Sequence, residues 1–89
     1  MMDNHSISYR QLTTTAERHI RDYVALATTA GDEIERAAMR ASAVSLFAFW
    51  LSFVNSARKT ANEATLQELN GDERRLLALV RSAEATAHA

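Results

Sequence analysis

The chain contains no proline, and its only two glycines, Gly31 and Gly71, stand 40 residues apart. These residue types interrupt helices, proline by about 3 kcal/mol and glycine by about 1 kcal/mol relative to alanine. Alanine, the strongest helix former, supplies about a fifth of the 89 residues. The chain therefore has long stretches that favour helix and few places to turn, and the expected class is all-α.

Both glycines sit in the same local sequence, Ala30-Gly31-Asp32-Glu33 and Asn70-Gly71-Asp72-Glu73. A left-handed glycine can close one helix, and the aspartate after it can cap the next. Glu35, three residues beyond Asp32, has the spacing of a capping box, and acidic first turns suit the helix dipole. The pattern predicts three main helices joined by tight Gly-Asp turns, over about Ser8–Ala30, Asp32–Leu69 and Asp72–Ala87. Together they form a single helical domain, 1–89, with 1–7 and 86–89 expected to fray. Connections this short make neighbouring helices antiparallel.

In the first segment Leu12, Ala16, His19, Tyr23, Leu26, Ala27 and Ala30 recur on one face, with Ile20 at its flank. The opposite side carries the charges, including the i,i+4 pairs Glu17–Arg21 and Arg18–Asp22. In the third segment Leu76, Leu77, Leu79, Val80 and Ala83 form the apolar face. The central segment, if continuous, is a rod of roughly 55 Å at 1.5 Å per residue. Its weakest point is Asn62–Thr65, where the apolar pattern thins and Thr65-X-X-Glu68 offers a new cap. A break there folds the pieces into a compact bundle.

The middle of that central helix, Ala41 to Val54, carries no charge. Val44, Phe47, Leu51 and Val54 form one seam, broadened by Met39, Ala43, Leu46, Trp50, Phe53 and Ala57. The remaining face holds Ala38, Ser42, Ser45, Ser52 and Ser56, with Phe49 among them. A chain this small has a thin core, and one neighbouring helix covers only one side of such a belt. A leftover apolar patch marks an association surface. The expected interface is Leu46, Phe47, Phe49, Trp50 and Phe53, with Ser45 and Ser52 allowing close helix approach. The expected state is a homodimer, and a heterologous protein partner fits the same surface.

With 10 basic and 11 acidic residues, net charge alone draws the chain to neither nucleic acid nor acidic membranes. Without cysteine it has no disulfide framework, thiolate metal site or cysteine nucleophile. His19 lacks a ligand or carboxylate at i+4, because Tyr23 stands there. The acidic residues near Asp32 and Asp72 are accounted for by capping, and no serine sits in a nucleophile elbow. No catalytic, metal or cofactor site is expected, and the chain is read as non-enzymatic. The function expected is protein–protein interaction, as an adaptor, inhibitor or regulatory binding protein. Two alternatives carry their own signatures. A membrane-associated helix would use the Ala41–Val54 belt, although 14 uncharged residues fall short of the ~20 a span needs. A weak helix-turn-helix DNA binder would use 64–80 and place Arg74, Arg75 and Arg81 on its second helix. The first ten residues lack the pattern of a secretory signal, and the C-terminus lacks a lipidation motif. The expected location is cytoplasmic.

Overall fold

A computed structural model describes the backbone of residues 4–87 and the side chains of residues 9–83. Three helices, α1 (Asn4–Thr29), α2 (Glu33–Arg58) and α3 (Glu63–Ala87), pack against one another, and no strand occurs among the described residues. Of the residues expected to fray, 1–3, 88 and 89 lie outside those described, while 4–7, 86 and 87 are helical in backbone.

The first connection is where the sequence puts it. Asp32 is the N-cap of α2 in extended conformation, and its carboxylate accepts from the Glu35 amide at 2.7 Å. Glu35 reaches back to accept from the Gly31 amide at 3.3 Å. Neither glycine has positive φ, so the turn is carried by the Asp32 cap rather than by a left-handed glycine.

The second connection is not at Gly71. α3 runs unbroken through that residue, and the chain turns at 59–62 instead. The capping group is the Asn62 side chain, which accepts from the Thr65 amide at 2.8 Å. An asparagine cap with four following amides to satisfy outweighs one glycine in a helix interior. The expected weak point of the central rod is thus its true end. The cap belongs to Asn62 and not to Thr65.

The core is one stripe from each helix. α1 contributes Thr13, Ala16, Ile20 and Ala27; α2 contributes Ala43, Trp50 and Val54; α3 contributes Leu69, Leu76, Val80 and Ala83. Within each helix most intervals are three, four or seven residues, the spacing that keeps side chains on one face. Ile20, expected at the flank, is fully buried, whereas Leu26 is half exposed and His19 is exposed. The α1 stripe is therefore rotated from the one expected. Val44, expected in the α2 seam, is exposed as well. A second neighbour explains the change: α3 draws α2 into the bundle along Ala43–Trp50–Val54 instead of along Val44–Leu51.

Polar groups tie the helices in pairs. Arg58 of α2 bonds Asn70 of α3 at 2.8 Å and forms an ion pair with Glu73. Arg75 of α3 bonds Glu17 of α1 through two nitrogens at 3.0 and 3.1 Å, and Asp72 at 2.9 Å. Arg36 and Arg40 hold Glu33 at the start of α2, at 2.7 and 3.4 Å.

Candidate interaction surface

The seven residues expected to form an interface separate into two groups. Trp50 is fully buried, and its indole N–H donates to the Thr13 hydroxyl at 2.9 Å. It is a core residue and cannot anchor a partner. Leu46 and Phe47 are half-buried and pack on the core, Phe47 tilted against Trp50 with 6.0 Å between ring centroids. Phe49, Phe53, Ser45 and Ser52 face out.

Phe49 is 57% exposed and Phe53 is 47% exposed. One turn apart on α2, they meet edge to face with centroids 5.2 Å apart. The Ser52 hydroxyl donates to the Phe49 carbonyl at 2.7 Å, so this serine is satisfied inside its own helix and presents little polarity outward. Of the five large apolar residues exposed among those described, four belong to α2: Ile34, Val44, Phe49 and Phe53. The fifth, Leu26, lies on α1.

Beside Phe49 runs an open groove of about 590 Å³ between α1 and α2. His19 and Tyr23 form the α1 wall; Ser42, Ser45, Leu46 and Phe49 form the α2 wall. Helical spacing explains the set. His19 and Tyr23 are i,i+4 on α1, and Ser42, Ser45 and Phe49 follow at three and four on α2. His19 was read from sequence as part of a buried stripe. It instead stands at the rim of this groove, and no metal-binding cluster of acidic, histidine or cysteine side chains occurs among the described residues.

A second, polar crevice lies between α1 and α3, lined by Tyr9, Arg10, Thr13, Thr14, Glu68, Asp72 and Arg75. Tyr9, Asp72 and Arg75 are bonded together within it. The Tyr9 hydroxyl donates to Asp72 at 2.7 Å, and its pKa is pushed up to about 12 by burial and by that carboxylate. Hydrogen bonds from Arg75 and Arg21 hold the Glu17 carboxyl below the usual carboxylate range, and Glu17 in turn raises Arg75. Paired groups of this kind lock α1 to α3.

Residues 64–80 do not form a helix-turn-helix, because they lie within one continuous helix. Arg74 and Arg81 are exposed on it, while Arg75 is engaged with Glu17 and Asp72. α2 is long and apolar enough to cross a membrane by length and composition, with mean hydropathy 1.5 over its most apolar window. Comparison with known protein families, with curated proteins and with solved structures finds no match to this chain.

Proposed function

We propose that the protein is a non-catalytic binding module, of the adaptor, inhibitor or regulatory kind, that associates with protein through the outer side of α2. The observation that carries this reading is the Phe49–Phe53 pair. Two aromatic rings in mutual contact stay about half exposed beside an open groove, although the same helix buries Trp50 completely. Aromatic residues dominate the energetics of protein interfaces, and contiguous exposed apolar surface on a small domain marks a contact site.

The rest of the exposed α2 face favours protein over lipid. Helices that lie in the membrane interface present large apolar side chains outward and basic residues opposite. Here the outward positions between Arg36 and Arg58 other than Val44, Phe49 and Phe53 are Ala37, Ala38, Ala41, Ser45, Ala48, Ser52, Asn55 and Ser56, and the opposite side is the bundle core. Small side chains suit a rigid partner helix at close range better than they suit a lipid phase.

Light scattering after gel filtration, without detergent, tests the reading on wild type and on Phe49→Ser. The wild type is expected at a mass above the 9.9 kDa of one chain. Phe49→Ser is expected to keep the helical circular dichroism and to shift towards that mass. A Phe49→Ser variant that associates as wild type does, or that unfolds, removes Phe49 from the interface. A wild type that is monomeric in buffer and sediments with phosphatidylglycerol vesicles moves the reading to the membrane.

A further inference from the structure

The outer face of α2 has a periodicity separate from that of the core. Ile34, Ala41, Ala48 and Asn55 are spaced by seven, and Ala38, Ser45, Ser52 and Lys59 are spaced by seven and offset by four. All eight are exposed. Small side chains at three- and four-residue intervals along one face let a second helix approach closely, and here that face points away from α1 and α3. No charge interrupts it between Ile34 and Lys59. The two exposed phenylalanines flank it on the groove side, and Val44 flanks it on the other.

We infer that the occupant of this face is a second copy of the chain. In the pairing, two α2 helices run antiparallel with Ser45 of one against Ala48 of the other, and Phe49 of each enters the other's groove. The inference rests on the reading of the α2 surface as a protein-binding face and adds its partner and its register.

Charge selects the direction. Lys59, the only lysine in the chain, ends the seam and makes no ion pair among the described residues. Glu35 lies at the other end beside Ile34 and makes no ion pair among the described residues, whereas Glu33 is held by Arg36 and Arg40. Antiparallel pairing centred between Ser45 and Ala48 sets Lys59 against Ile34 and Glu35, at both ends at once. Parallel pairing stacks Lys59 on Lys59 and Glu35 on Glu35, which is unfavourable.

The same register places the aromatic ring. It brings Ala41 opposite Ser52 and sets Phe49 at the level of the partner's residue 44, between the partner's Ser42 and Ser45. Those two serines, with Leu46, form the α2 wall of the groove. Both exchanges follow from one two-fold axis, as an isologous interface requires. Small residues at the seam let the backbones approach to the lower end of the ~8–10 Å range for packed helices.

Cysteine cross-linking tests the register, because the natural chain has no cysteine. Two single variants, Ala41→Cys and Ser52→Cys, change exposed positions only. Mixed and oxidised, they are expected to yield a covalent dimer at least ten times more abundantly than either variant alone. Each residue lies roughly 16 Å along the seam from its own copy, beyond disulfide reach. Ala41→Cys cross-linking to itself would mean a parallel pair or an antiparallel pair centred on residue 41, and a dimer that cross-links in neither sample uses another register; each of these results overturns the inference. If such a dimer is still weakened by Phe49→Ser, the binding face stands and only the register fails. If the wild type is monomeric in the scattering experiment, the second copy is excluded as occupant.

Discussion

The indole N–H of Trp50 donates to the hydroxyl of Thr13 over 2.9 Å, joining α2 to α1 inside the core. Thr13 is the one buried polar residue among those described, and it is buried because it serves this bond. A second polar bond, from the Tyr9 phenol to Asp72, joins α1 to α3. Replacing Thr13 by valine keeps the shape but strands the indole N–H. The expected cost is about 1–3 kcal/mol, read as a lower urea midpoint with unchanged slope. A Thr13→Val variant as stable as wild type would mean that the bond contributes nothing to the fold.

The class of fold was legible because its signal is repeated over many residues: no proline, two glycines, and apolar positions at three- and four-residue spacing. The first turn was legible because Asp32 and Glu35 carry a local mechanism in their spacing. The second is misplaced because Gly71 repeats the local sequence of the first turn, whereas the Asn62 cap on the Thr65 amide outweighs the ~1 kcal/mol that one glycine costs inside a helix. Trp50 and Phe49 differ by one position in the chain and by 100° around the helix. Periodicity puts Trp50 on the apolar seam and Phe49 on the small-residue face, and the orientation of α2 that buries one completely and exposes the other depends on α1 and α3 together. The groove at His19 and Tyr23 was not legible at all, since it needs residues from two helices whose relative height the sequence does not state.

Acid should act through Glu17. Its folded pKa is lowered by Arg75 and Arg21, so its contribution to stability is present above the ordinary glutamate value of 4.5 and is lost as pH falls through the lower folded value. Arg75 is nearly half exposed, which keeps the contribution below about 1 kcal/mol. Glu17→Gln is expected to be slightly less stable than wild type at pH 7 and to draw together with it as pH falls below 4.5. Thermal midpoints across that range measure it, and curves that stay apart at low pH would exclude the ion pair as the cause.

Gly71 offers the opposite sign. It lies inside α3 with no positive φ, and nothing lies within 4 Å of where a β-carbon would stand. Alanine there lowers the entropy of the unfolded chain without a clash. Gly71→Ala is expected to stabilise the fold by about 0.5–1 kcal/mol, seen as a higher urea midpoint. A loss of stability would show that α3 needs to break or bend at residue 71, as the glycine alone would suggest.

The alkaline limit should belong to Tyr9. Burial and the Asp72 carboxylate raise its phenol from 10.0 to about 12, so the folded state keeps a proton that the unfolded chain gives up. That contribution is complete below pH 10 and is lost as pH rises towards 12. Tyr9→Phe removes both the hydrogen bond and the titration. At pH 7 the variant is expected to be about 1 kcal/mol less stable, because Asp72 loses one of its two donors while Arg75 remains. Above pH 10 its stability should fall less steeply than that of wild type, so the two urea midpoints draw together. Midpoints at pH 7, 10 and 11 decide the matter. Parallel curves for the two proteins would mean that Tyr9 is not the group whose proton the α1–α3 seam holds.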